Sequence, residues 1–168
     1  MGKDNRKGNR RDRNKKNCTR IPELGYYLIV TDTDETEKNY FYGLRDSIPK
    51  EAVDRIVIKV EKANTVDLVN KTKQLLSKES QYRIPWIVFD RDQVKDFDKI
   101  IETAGKLDIN VGWSNPCIEI WFFAYFSDMP SIKESFVCCD KFKIKYEKIT
   151  GQKYDKADEN IYNNIYFL

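Results

Sequence analysis

At 168 residues, with 40% hydrophobic and 13% aromatic content, the chain is long enough to bury one domain-sized core and too apolar to stay disordered. It contains no histidine, which excludes Ser-His or Cys-His catalysis and His-ligated zinc, and leaves acid-base work to carboxylates, lysine, tyrosine or metal-bound water. The net charge of +3 conceals a split: residues 1–20 carry nine Lys/Arg and two Asp (+7), and the other 21 basic and 25 acidic residues balance to −4.

Residues 1–20 are rich in Gly and Asn and lack periodicity, so they read as a disordered basic arm ahead of one α/β domain over 21–168. Arg10, Arg11, Arg13, Lys15 and Lys16 are its expected nucleic-acid contacts, acting by phosphate neutralisation. A solubilising tail explains the same composition equally well.

Tyr26–Thr31 is aromatic and β-branched and reads as the first strand. A helix over Thr36–Leu44 follows, with Tyr40, Phe41 and Leu44 on one face, ended by Ser47-Ile48-Pro49. Arg55–Val60 is the second strand, and Thr65–Leu76 a helix with Val66, Val69, Leu75 and Leu76 near the 3.6 period and Asn64 or Thr65 as N-cap. Ile84–Phe89 reads as a buried central strand. Val94–Leu107 is an amphipathic helix, and Asp108–Val111 a short fourth strand. This alternation implies a mostly parallel sheet of about four strands with helices on both faces.

Cys117–Phe126 is apolar all round and reads as a fully buried helix begun by Pro116. Glu119 is its one charge and must be paired with a cation, protonated, or placed near a metal. Glu134–Thr150 reads as a helix capped by Gly151. Asp158–Leu168 begins another, with Ile161, Ile165 and Leu168 on one face, and its apolar close reads as a trimmed helix or a packing surface. Cys18, Cys117, Cys138 and Cys139 show no metal-ligand spacing and read as reduced thiols. With no membrane-length apolar run and no secretory segment, a soluble, cytoplasmic protein is expected.

The chemistry gathers at predicted strand ends. The third strand runs into Asp90-Arg91-Asp92, where two acids at i and i+2 make a hard-oxygen site suited to Mg²⁺ or Mn²⁺. The first strand runs into Asp32-Thr33-Asp34-Glu35-Thr36-Glu37, which fits a site or, alternatively, anions stabilising a helix N-terminus. Carboxyl ends of parallel strands share one edge, so Asp32, Glu37, Asp90, Asp92 and Glu119 can converge there. That is the layout of metal-dependent phosphoryl transfer. Ser114 and Asn115 could hold a phosphate or orient an acid, and Ser114 could instead be a helix N-cap. Arg91 should face away from both aspartates, towards a substrate phosphate or the other side of the sheet; Lys153 and Lys156 read as surface lysines.

On Leu28–Phe41, Val88–Asp92 and Ser114–Trp121, with Lys153–Lys156 near the end, the chain resembles the RloB family, small Toprim-domain proteins found with restriction and anti-phage loci. The resemblance implies a Toprim-like fold and a nuclease cleaving phosphodiesters of RNA (such as tRNA) or DNA with Mg²⁺ or Mn²⁺ held by Asp32, Asp90 and Asp92. Glu37 and Glu119 would support these. It also points to an ATPase or restriction-system subunit as partner, and leaves room for a homo-oligomer; no membrane is involved. One departure stands out. The family pattern after the first strand is Glu-Gly, and this chain has Asp32-Thr33, an acid one methylene shorter and a turn without glycine. That motivates a second reading, a nucleic-acid- or partner-binding subunit whose site has weakened.

Overall fold

The computed structural model describes residues 25–78, 81, 83–92 and 94–166. The basic arm, Cys18 and Leu168 lie outside these residues. Four apolar runs become strands β1 (Tyr27–Thr31), β2 (Ile56–Val60), β3 (Ile84–Asp90) and β4 (Asn110–Ser114). They form one all-parallel sheet in the order β2-β1-β3-β4. Helices α1 (Thr36–Asp46) and α2 (Lys50–Val53) connect β1 to β2, α3 (Thr65–Lys78) connects β2 to β3, and α4 (Phe97–Lys106) connects β3 to β4. Steps in opposite directions across the sheet place α1 on one face and α3 with α4 on the other, as right-handed crossovers require.

Strand alternation sorts the side chains. Leu28, Val30, Ile87 and Phe89 point at Leu68 and Val69 of α3 and Ile100 and Ala104 of α4, in a fully buried core. Tyr27, Ile29, Trp86 and Val88 point the opposite way, under Tyr40 and Phe41 of α1, and leave a largely apolar groove of about 400 Å³. A second core joins α5 (Glu119–Phe122), a following 3-10 turn (Phe123–Tyr125), α6 (Ser135–Thr150) and α7 (Ile161–Tyr166). Phe122, Phe142, Tyr146 and Tyr154 pack there with ring centroids 5.0–5.9 Å apart. Each such ring contributes roughly 2 kcal/mol through burial. No helix of the described residues is long and apolar enough to cross a membrane.

Several expected boundaries move, each for a local reason. Helix α4 begins at Phe97 rather than Val94, because the chain turns at Arg91–Val94 and Asp96 adopts φ 56°. Asp108, at φ 53°, belongs to the turn before β4, so that strand starts at Asn110 and continues to Ser114. The segment Cys117–Phe126 is no single buried helix: its helical turns are short, and Trp121 and Tyr125 are exposed. Val66 is exposed, and α3 buries Leu68 and Thr72 beside Val69. Asn64 caps α3 by accepting the Asp67 amide at 3.0 Å, and Gly151, at φ 70°, caps α6. The buried face of α1 is polar: Thr36, Glu37 and Asn39 are its buried residues, and Tyr40, Phe41 and Leu44 are half-buried.

The backbones of α1 and α7 meet at Gly43, where a Cβ would fall inside van der Waals contact of the Tyr162 Cβ. Gly43→Ala gains about 1 kcal/mol of helix propensity, against about 1–3 kcal/mol for overpacking a rigid contact. The clash should win. Urea denaturation should show a net loss of up to about 2 kcal/mol, with no change in secondary structure.

Candidate functional site

The carboxyl ends of β1, β3 and β4 lie side by side because the strands are parallel and in register, with Thr31 opposite Val88 and Asp90 opposite Ser114. Asp90 is the last residue of β3, and Asp32 follows the last residue of β1. The first turn of α1 brings buried Glu37 to the same edge, and α5 brings Glu119, which is fully buried.

Each acid has its own support. Ser114 donates its hydroxyl to Asp90 Oδ1, and its carbonyl accepts the Arg91 amide at 2.9 Å, so β4 grips the Asp-x-Asp segment twice. Ser114 is therefore a strand-end residue that orients an acid, and not a helix N-cap. Ser135 at the start of α6 donates to Asp92 Oδ2, and Thr33 donates to Glu37 Oε2. Glu119 Oε1 accepts the Tyr154 hydroxyl at 3.0 Å and lies 3.3 Å from the Lys156 ammonium. The charge expected in a buried segment is thus paired with a cation, and Lys156, though exposed at the surface as expected, is that partner. Two buried carboxylate oxygens, Asp32 Oδ1 and Glu119 Oε2, accept no hydrogen bond of ordinary geometry from the described residues.

The electrostatics show that these acids share a field. Burial, then the charge of Glu37, pushes Asp90 up to about 8, with Glu119 and Asp92 adding to the shift against the Ser114 hydrogen bond. Burial and the Glu37 charge push Asp32 up to about 6. Burial also raises Glu37 against the help of Thr33. Glu119 goes the other way: burial opposes its ionisation, but the neighbouring Cys117 thiol, the Lys156 ammonium and the Tyr154 hydroxyl outweigh it and hold it low. Asp34 is exposed, paired with Lys38 at 3.1 Å and Lys62 at 3.3 Å, and held low by both; it stands apart from the cluster.

Asp32, Asp90 and Asp92 line a cleft of about 570 Å³, shared with Asp67 and Asp96. The aspartates surround this space without closing to ligand spacing. The donor set suits a hard divalent cation: carboxylate oxygens only, one of them orphaned, in a field that resists ionisation until positive charge arrives. Asp67 and Asp96 gave no signal in the sequence, nor did Ser135, 43 positions from its partner.

The remaining sequence candidates are placed as follows. Arg91 turns away from the aspartates, its guanidinium 4.6 Å from the Phe97 ring centroid and 5.4 Å from that of Trp113. Asn115 is exposed just after β4. Arg10, Arg11, Arg13, Lys15 and Lys16 lie outside the described residues. Thr33 needs no glycine: Asp96 and Asp108 are the non-glycine residues with positive φ among those described. Neither Asp32 nor Thr33 takes a positive φ, and the Thr33 hydroxyl that a glycine would lack donates to Glu37.

A family model described as RloB-like protein matches residues 27–167, which takes in every element from β1 to α7. No curated protein and no solved structure matches the chain.

The raised carboxyls make the cation-free protein pH-sensitive in a defined direction. A carboxyl whose pKa is raised on folding stabilises the fold below its unfolded value, near 3.8, and that contribution is lost as pH rises through its folded value. Stability should therefore fall from pH 4 to 6 through Asp32 and Asp90, and on to pH 8 through Asp90, by at most about 1.4 kcal/mol per pH unit per group. Asp90→Asn, which keeps an acceptor for Ser114, should flatten the upper limb of this profile in chelator-treated protein, read by urea denaturation at each pH.

Proposed function

The chain belongs to the RloB-like family, and on that footing we propose that it is a Mg²⁺- or Mn²⁺-dependent nuclease acting on RNA or DNA in anti-phage defence. The observation that carries this reading is the gathering of Asp32, Glu37, Asp90, Asp92 and Glu119 at one sheet edge, where burial and the charge of Glu37 raise both Asp32 and Asp90 and the buried Asp32 Oδ1 accepts no hydrogen bond from the described residues. Carboxylates kept together at that electrostatic cost are what a cation site needs.

Asp90 and Asp92 would hold the ion, with Asp32 as third ligand or as the base that takes a proton from attacking water. A value about 6 suits Asp32 to that exchange near neutral pH. Bound there, the ion would polarise the phosphodiester and lower the pKa of water. Ser114 and Ser135 fix the two aspartates, and Thr33 fixes Glu37 behind Asp32. Glu119 contributes a standing negative charge, held ionised by Lys156. Arg91 and the cations of the N-terminal arm would serve nucleic-acid phosphates, and an ATPase or restriction-system subunit would be the protein partner. The shorter acid at Asp32 favours the second reading, a binding subunit with a weakened site, which predicts salt-sensitive nucleic-acid binding and no cleavage with any divalent ion.

Incubation of the full chain with tRNA, single-stranded and duplex substrates should show cleavage that requires Mn²⁺ or Mg²⁺ and disappears in Asp90→Asn/Asp92→Asn. Undiminished cleavage by that double variant would overturn the assignment. Ser114→Ala should weaken Mn²⁺ binding by about tenfold or more in calorimetry, because it releases Asp90 from its orienting donor. Mn²⁺ affinity should also rise with pH up to about 8 as the proton on Asp90 becomes easier to displace.

A further inference from the structure

We propose that Cys117, Cys139 and Glu119 form a second cation site, for a single thiophilic divalent ion of the Zn²⁺ class, separate from the aspartate cleft. Their donor atoms lie within 4.8 Å of one another, and they are the one such group among the described residues. The sequence gives no hint of it, because 22 positions separate the two thiols and only the packing of α6 against α5 brings them together.

Three observations carry the site. The first is spacing: the Cys117 and Cys139 Sγ atoms are 3.8 Å apart. Two thiolates bound at about 2.3 Å in a tetrahedron stand at about that separation, so an ion could be held with little backbone movement. The second is an under-satisfied acceptor: Glu119 is fully buried, its Oε1 is taken by Tyr154 and Lys156, and its Oε2 has no hydrogen bond of ordinary geometry from the described residues, with the Cys117 thiol beside the carboxylate. An under-satisfied buried carboxylate oxygen costs free energy that a bound cation would recover. The third is charge. Two thiolates and one carboxylate around a divalent ion leave one net negative charge, and the Lys156 ammonium, 3.3 Å from Glu119, offsets it.

On binding, both thiols release their protons to solvent as the two sulfur–metal bonds form, and Glu119 joins as a carboxylate. Cys117 is buried and Cys139 half-buried, so entry is from the Cys139 side, and three protein ligands leave a fourth position for water. The donor set separates the two sites: sulfur here selects Zn²⁺-class ions, and oxygen alone in the aspartate cleft selects Mg²⁺ or Mn²⁺.

Co²⁺ titration of the full chain under a non-thiol reductant tests this without reference to nuclease activity. One equivalent should produce a thiolate-to-cobalt charge-transfer band that Zn²⁺ abolishes. The band should be unchanged in Asp90→Asn/Asp92→Asn, so its loss and a failure of the aspartate site are read separately. Cys139→Ser should remove the band and weaken Zn²⁺ binding by about tenfold or more. No band, or an equal band in Cys139→Ser, would overturn the proposal. A second measurement uses wild-type protein alone: one equivalent of Zn²⁺ should slow alkylation of Cys139, and excess Mg²⁺ should not. An unchanged alkylation rate, or a Cys117–Cys139 disulfide under these reducing conditions, would also overturn it.

Discussion

Mutual repulsion among buried carboxylates is the constraint around which this domain is arranged. A parallel sheet delivers the ends of β1, β3 and β4 to one edge, and this sequence places Asp32 and Asp90 at the first two and Glu119 in the helix that follows the third. Burial raises Asp90 and Asp32, and the charge of Glu37 raises both further. The surroundings answer with hydroxyls rather than with a matching set of cations: Ser114 for Asp90, Ser135 for Asp92 and Thr33 for Glu37. Hydroxyl donors orient carboxylates without neutralising them. Lys156 is the exception, and it serves Glu119, the most deeply buried of the group.

The same requirement explains the polar underside of α1. A helix laid on a sheet ordinarily buries an apolar stripe. Here Thr36 donates to the Lys156 carbonyl at 3.0 Å, and Asn39 donates to the Ala157 carbonyl at 3.1 Å. These bonds hold the 154–157 segment against α1, and that segment carries both partners of Glu119, Tyr154 and Lys156. Rings of the second core seat Tyr154, with Phe142 at 5.0 Å and Tyr146 at 5.5 Å. The C-terminal third of the chain thus completes the site from below, and the aromatic cluster is rigid packing in the service of one buried charge.

Period and composition made the strands and the long helices legible. The four apolar runs, the α3 cap at Asn64 and the α6 cap at Gly151 follow from local rules that the tertiary structure does not override. Local rules fail where a long-range contact decides. The strand β4 extends to Ser114 because β3 is there to pair with it, and the α1 stripe appears apolar only while the 154–157 backbone is left out of account. The aspartates were readable because an acid at the end of an apolar strand is anomalous by itself. Their hydroxyl partners were not, since a serine at position 135 looks like any other until α6 packs beside Asp92. The two thiols of α6 and the α5 loop were invisible for the same reason.

Whether the proposed metal site is a working or a weakened one turns on Asp32 and Thr33. A site released from function is free to relieve its electrostatic cost, by losing an acid or by recruiting lysines to each one. Lysine recruitment is seen at Asp34, which lies outside the cluster and is paired twice. Among the described residues it is not seen at Asp32 or Asp90, whose pKa values are raised. The turn at Thr33 has moreover been put to use, since its hydroxyl holds Glu37, an acid with the extra methylene that Asp32 lacks. Glu37 lies close enough to raise both Asp32 and Asp90. The shorter acid and the longer one can therefore divide the work of a single glutamate, Asp32 facing the cleft and Glu37 standing behind it. If the proposed cation site holds, the Asp-Thr departure is a rearrangement of that site and not its loss.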